Sequence, residues 1–81
     1  MRVEGARVDL TATEFRLLYA LAVRPGHVLS RRQLVRLAID QQVAERTIDV
    51  HVRAIRRKLG AHRRMVETVR GVGYRFNDTN V

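Results

Sequence analysis

Fifteen residues constrain this chain more than any others: Glu45 to Leu59, ERTIDVHVRAIRRKL. At about 100° per residue, Ile48, Val52, Ile55 and Leu59 fall on one narrow helical stripe. Such a stripe needs a hydrophobic core to cover it. Arg46, Val50, Arg53 and Arg57 fall on the opposite side, and Arg56 and Lys58 flank the stripe. A helix of this kind is held by the protein on one face and offers positive charge on the other. The simplest reading is a solvated basic face. Two features argue against it. Acids are scarce beside the arginines, so that Asp49 with Arg53 is the only good i, i+4 pair. Val50 also stands among the arginines, where a solvated helix more usually carries Glu or Lys. A small apolar group there can meet a thymine methyl while its neighbours reach base edges or phosphates.

The remaining sequence has to supply the core. With 81 residues it can build one small domain. With 46% hydrophobic but only 5% aromatic residues, that core must be mostly Leu, Val, Ile and Ala. The formal net charge of +8, nearly all of it arginine, predicts a polyanionic partner. Nucleic acid and an anionic membrane surface are the two candidates. A membrane-surface role needs large apolar residues beside the basic ones, and these are missing. No cysteine is present, so there is neither a disulfide framework nor a thiolate metal site, which fits a reducing, cytoplasmic setting. No apolar run approaches a membrane span or a signal peptide. The tail from Asn77 to Val81 is polar and expected to fray.

In chain order, Arg2 to Leu10 reads as a short hairpin with Glu4-Gly5 at its turn. Two strands this short are a marginal sheet and need further structure to lie against. Thr11 and Glu14 then form a capping box, with Leu10 and Phe15 placed for a hydrophobic staple. The helix runs through Leu17, Leu18, Leu21 and Ala22, apolar over much of its girth, and stops near Arg24-Pro25-Gly26. The same device recurs with Ser30 as cap, Gln33 three residues on, and Leu29 facing Leu34. This second helix is expected to turn Leu34, Val35, Leu37 and Ala38 inward and Arg31, Arg32 and Arg36 outward. Residues 39–44, IDQQVA, read as a connection. The basic helix follows with no favoured cap at its start and Gly60 at its end. Met65 to Val69 and Tyr74 to Phe76 are strand-like, with Arg70-Gly71-Val72-Gly73 as a loop whose tip carries Arg70. The order is hairpin, helix, helix, helix, hairpin: an α+β chain with a three-helix core, short N-terminal strands and a β-hairpin wing. The second and third helices form a helix-turn-helix, and the hairpin makes it a winged helix.

On these residues the chain resembles the effector domain of the OmpR/PhoB family of bacterial two-component response regulators. The matching text is LTATEFRLLYAL at 10–21, VLSRRQLV at 28–35, ERTIDVHVRAIRRKL at 45–59 and METVRGVGYRF at 65–76. The likeness covers nearly all of the chain from Val8 to Phe76. It implies a winged helix-turn-helix that binds double-stranded promoter DNA, with the recognition helix in the major groove and the wing in the adjacent minor groove. Arg46, Thr47, Val50, His51, Arg53 and Arg56 match the family's DNA-contacting positions, and Arg70 matches its minor-groove arginine. Arg57 joins this set from the helical wheel alone. The resemblance also implies pairing on direct-repeat half-sites and contact with RNA polymerase through residues 39–44. Three departures stand out. Ala54 replaces a residue that is often basic in relatives. The connection at 39–44 is short and lacks the family's usual Trp-Gly. Only the last part of the family's N-terminal four-stranded sheet can be present, and the receiver domain is absent. The chain therefore reads as a single winged-helix domain, residues 1–81, from a longer regulator.

Arg46 and Arg53 are the candidates for guanine edges. Thr47, and Arg31 at the start of the second helix, suit phosphates. Arg70 suits a narrow A·T-rich minor groove. Each also has a plainer reading. Val50 can be a scattered surface residue, His51 a boundary histidine, Thr47 a first-turn residue, Arg75 a solvated strand face, and Asp49 an orienter of Arg53 or Arg56. Catalysis fits poorly. The single serine is a cap, the three histidines lie on separate elements, and no acidic pair or phosphate-cradling loop occurs. No metal or cofactor is implied. RNA binding is disfavoured because Phe15, Tyr19, Tyr74 and Phe76 fall at core-type positions, which leaves no platform for unstacked bases. The rival from another class is a winged helix that docks on an acidic protein surface without reading DNA, a use that leaves Arg70 idle.

Overall fold

The computed structural model describes residues 2–3, 6–39 and 43–77. The Glu4-Gly5 turn, the middle of the 39–44 connection and the tail beyond Asn77 lie outside them. The elements run in the expected order with two additions. Strands β1 (Arg2–Val3) and β2 (Ala6–Arg7) pair antiparallel as a two-stranded sheet. Helix α1 spans Ala12–Ala22. Strand β3 (Leu29–Ser30) leads into α2 (Arg31–Leu34), which widens into a π turn over Val35–Ile39. Helix α3 spans Arg46–Leu59 and passes into a 3-10 segment, Gly60–Met65. The wing is β4 (Val66–Val69) with β5 (Gly73–Phe76).

Local chemistry accounts for the helix starts. Thr11 Oγ1 accepts from the Glu14 amide at 3.1 Å, while Glu14 Oε1 accepts from the Thr11 amide at 2.9 Å. Ser30 and Gln33 repeat the exchange at 3.1 and 2.8 Å. Each reciprocal pair satisfies two amides that a helix start leaves orphaned. Helix α3 has no such cap: Glu45 makes no side-chain capping bond. Its start is held instead by tight turns from the Thr47 amide to Ala44 O and from the Ile48 amide to Glu45 O.

The expected stripe of α3 is the centre of the core. Ile48, Val52, Ile55 and Leu59 are all buried, and they pack with Leu17, Leu18 and Leu21 of α1, Leu34 and Ala38 of the second helix, and Val66 and Tyr74 of the wing. Wing and helices are one body because β5 pairs on both sides, giving the sheet order β3-β5-β4. The register sets Leu29 opposite Tyr74 and Ser30 opposite Gly73. A Cβ at Gly73 would lie 2.0 Å from the Leu29 carbonyl oxygen, so only glycine permits this approach.

Three expectations are corrected. Leu37 is 49% exposed, not inward. In a π turn the hydrogen bonds reach five residues on, so each residue advances less about the axis and Leu37 falls off the core face. Ile39 belongs to that turn and packs on the core instead of opening the connection. Phe15 and Tyr19 are 46% and 58% exposed and stack on each other with centroids 6.0 Å apart. Phe15, at the staple position, is thus not a core residue. Their i, i+4 spacing joins them on α1's outer face. Tyr74 and Phe76 keep to the core as expected.

Candidate nucleic-acid interface

The outward face of α3 is as the wheel placed it. Arg46, Arg53 and Arg57 are exposed, and Val50 stands 66% exposed among them. Among the described residues these three guanidinium groups have no hydrogen-bond or ion-pair partner, and neither does Arg70. Thr47, His51 and Arg56 are half-buried along the edges of the helix. Arg70 occupies the wing turn closed by the Val72 amide to Val69 O at 2.9 Å. Gly71 follows it at φ 78, a left-handed value that favours glycine at the third position of such a turn. Val72, beside the tip, is 53% exposed.

Behind this face, four side chains from three elements (Arg31 of α2, Asp49 and Arg56 of α3, and Tyr74 of β5) lock the helices to the wing. Asp49 Oδ1 accepts from Arg31 Nε at 2.7 Å and also from the Tyr74 hydroxyl. Arg31 and Arg56 lie over the Tyr74 ring, 5.5 and 5.6 Å from its centroid. Arg56 continues into the wing, donating from Nε to Val66 O at 3.0 Å and from Nη2 to Thr68 Oγ1 at 2.6 Å. The Tyr74 hydroxyl, with the Arg31 guanidinium behind it, holds the Asp49 carboxyl below its ordinary value. Burial pushes the Tyr74 phenol up, and its bond to Asp49 adds to that.

Sequence reasoning expected Asp49 to orient Arg53 or Arg56. Its hydrogen bonds go to Arg31 and Tyr74 instead, because the fold delivers an arginine and a hydroxyl from distant positions, and Arg53 acts on it through charge alone. Arg31 and Arg56 therefore have part of their five-donor forks committed inside the protein, and the remaining donors are left for a ligand. Arg75 pairs with Glu67 directly across the wing at 2.8 Å, a cross-strand ion pair on a half-exposed face. That contact also holds the Glu67 carboxyl below its usual range.

One basic residue was missed. Arg63, in the 3-10 segment, lines a groove of about 570 Å³ with Arg53, Arg56 and Arg57. The signal was the Arg63-Arg64 pair after Gly60, in a stretch with no helical or strand period of its own. The exposed Phe15 and Tyr19 rings remove the sequence-level objection to base stacking, but they stand on α1 and not on the arginine face of α3. Among the described residues no group of three or more His, Cys, Asp or Glu could hold a metal ion, and no helix is long and apolar enough to cross a membrane.

A helix-turn-helix whose second helix turns unpaired arginines outward, beside a hairpin with an arginine at its tip, defines a winged helix-turn-helix domain. Residues 5–76 match the family described as "Transcriptional regulatory protein, C terminal", and the chain belongs to that family. It is 45% identical over 74 residues to the phosphate regulon transcriptional regulatory protein PhoB of Escherichia coli K12, a match covering 86% of this chain and 32% of that protein. The chain thus spans about a third of the length of the curated relatives it matches. Its fold is similar to the DNA-binding domain of the response regulator AdeR, crystallised in complex with an intercistronic region. There the TM-score is 0.81 at 34% identity, covering 88% of this chain and 74% of that one. The DNA-binding domain of RstA from Klebsiella pneumoniae, in complex with the RstA box, superposes with a TM-score of 0.77 at 28% identity, covering 90% of this chain and 77% of that one.

Proposed function

We propose that this chain binds double-stranded DNA in a sequence-specific manner, as the effector domain of a two-component response regulator. The observation that carries the reading is the outward face of α3, where Arg46, Arg53 and Arg57 have no hydrogen-bond or close ion-pair partner among the described residues and surround an exposed Val50. Three guanidinium groups on one face, only Arg53 of them feeling the charge of Asp49, repel one another, and a polyanion relieves that repulsion. The solved complexes of AdeR and RstA with DNA support the same reading.

In this mechanism arginines first neutralise phosphates and release counterions, which sets most of the affinity. Arg53 and Arg46 then read guanine edges, each worth about 1–3 kcal/mol of discrimination when bidentate. Val50 meets a thymine methyl, and Thr47, His51 and Arg57 border the groove. Arg31 and Arg56 use their remaining donors on phosphates, and Arg70 enters the minor groove. The resemblance adds pairing of two copies on direct-repeat half-sites and a polymerase contact through residues 39–44.

The test is binding to random duplex DNA at two salt concentrations for wild type, Arg53→Ala and Arg70→Ala, followed by sequencing of the bound pool. With roughly five or six phosphate contacts, the log–log salt slope is expected near −5. Arg53→Ala should lose base preference within the enriched motif, and Arg70→Ala only the flanking A·T preference. An enriched motif with two spaced repeats supports pairing. Weak binding with no enriched motif, unchanged by either substitution, sinks specific readout.

A further inference from the structure

Six large apolar side chains stand exposed among the described residues, and their distribution is uneven. Val50 and Val72 lie on α3 and the wing. The other four, Phe15, Tyr19, Val23 and Leu37, line one groove of about 430 Å³ between α1 and the π turn. Scattered exposed apolar residues need no explanation, but a contiguous patch marks a contact surface. The patch is also charged at its rim. Arg16 donates from Nε to Ala38 O at 2.8 Å, and Arg24 from Nη1 to Ala20 O at 3.2 Å. These acceptors are neutral carbonyls, so both guanidinium groups are steadied in place with their charge intact. Neither forms an ion pair among the described residues.

We infer that this groove is a docking site for an acidic amphipathic segment of another protein, an apolar face flanked by carboxylates laid along α1. The helix-in-groove mode fits an apolar trough with fixed cations at its edge, and guanidinium groups already held in position lose little freedom on meeting a carboxylate. A second copy of this chain fits badly, because a two-fold contact sets the same patch against itself and brings its arginines together. A single strand of nucleic acid stacks bases on aromatic faces, but half of this patch is the aliphatic Val23 and Leu37. On the α1 wheel Phe15, Tyr19 and Val23 lie opposite Leu17 and Leu21, which are buried in the core that α1 shares with α3. The groove therefore lies on the outer side of α1 with no lining residue from α3 or the wing, and the site does not depend on the DNA reading.

The experiment is amide NMR of the whole chain titrated with a synthetic amphipathic peptide carrying leucine on one face and glutamate at its flanks. A second peptide with lysine at the flanks, oligothymidine, and a dilution series for self-association serve as controls. The expected result is saturable shifts confined to α1 and residues 35–39 with the glutamate peptide alone. Its affinity should fall about tenfold or more in the Phe15→Ser, Tyr19→Ser double variant. Both substitutions are at exposed positions, so the melting temperature should hold, and the comparison of the two peptides on wild type decides the matter even if it does not. No saturable shift on α1, equal binding of the lysine peptide, oligothymidine binding at the same residues, or self-association through them would overturn the inference.

Discussion

At the scale of single residues, the Asp49 carboxylate is a junction of three elements. One of its oxygens takes both the Arg31 guanidinium and the Tyr74 hydroxyl, joining α2, α3 and β5. Tyr74→Phe keeps the ring between Arg31 and Arg56 and removes only the hydroxyl. We expect it to lower stability in urea by about 1.5 kcal/mol, the lower end of the range for hydrogen bonds to charged groups, because Asp49 is partly exposed. Asp49, Glu14 and Glu67 all have folded pKa values held below their ordinary ones. For Glu14, burial pushes upward but is outweighed by hydrogen bonds from Lys58 and Thr11. A carboxylate with a depressed folded pKa contributes its full stabilisation above its unfolded pKa, about 3.9 for Asp and 4.3 for Glu, and loses it as pH falls through the folded value. Urea midpoints should therefore drop steadily below about pH 4 in wild type. Asp49→Asn should start lower at neutral pH and fall less steeply, with Glu14 and Glu67 supplying the slope that remains. The Asp49 contacts were not legible in the sequence. Spacing along one helix offers Arg53 as partner, and nothing local shows that Arg31 arrives from another helix.

At the scale of elements, capping chemistry and wing position have different sources. Both capping boxes follow from residues three apart, and such caps are readable without a fold. Thr11→Ala should lower the melting free energy by about 1 kcal/mol. The wing, by contrast, is placed by β3, a two-residue strand with no period to announce it. Gly73 makes that pairing possible. Gly73→Ala drives a Cβ into the backbone of Leu29 and Ser30, at 2.0 and 2.8 Å. The strands must part, and a loss of about 3 kcal/mol is expected, at the upper end of ordinary substitutions. Amide exchange should rise at Tyr74 and Leu29, and in the DNA selection the wing's A·T preference should weaken before the motif read by α3. An unchanged exchange pattern would show that the β3–β5 contact does not hold the wing. The π turn is the other element that spacing misplaced. The wheel assumes an α-helical advance per residue, and the wider turn moves Leu37 from core to surface.

At the scale of the whole molecule, one core serves three helices and the wing, so damage there cannot be confined. Ile55→Ala, at a fully buried position, should lower stability by about 2–5 kcal/mol, and binding should fail in step with unfolding. Arg53→Ala should leave the melting temperature unchanged while affinity and base preference fall, which separates surface chemistry from folding. The sequence by itself determined the order of the helices and hairpins, the two capped helix starts, the buried stripe of α3 and its opposite arginine face. These depend on residues within one or two helical turns, where covalent geometry limits what can lie beside what. Only the tertiary structure decided which guanidinium groups are free and which are committed. Arg31 and Arg56 are engaged by Asp49, Tyr74 and the wing backbone, whereas Arg46, Arg53, Arg57 and Arg70 are left unpaired among the described residues. It also decided that Phe15, Tyr19, Val23 and Leu37 share one surface. The physical reason is the same in both cases. Partners that close across α1, α2, α3 and the wing are chosen by packing, and packing brings together residues whose separation along the chain carries no record of it.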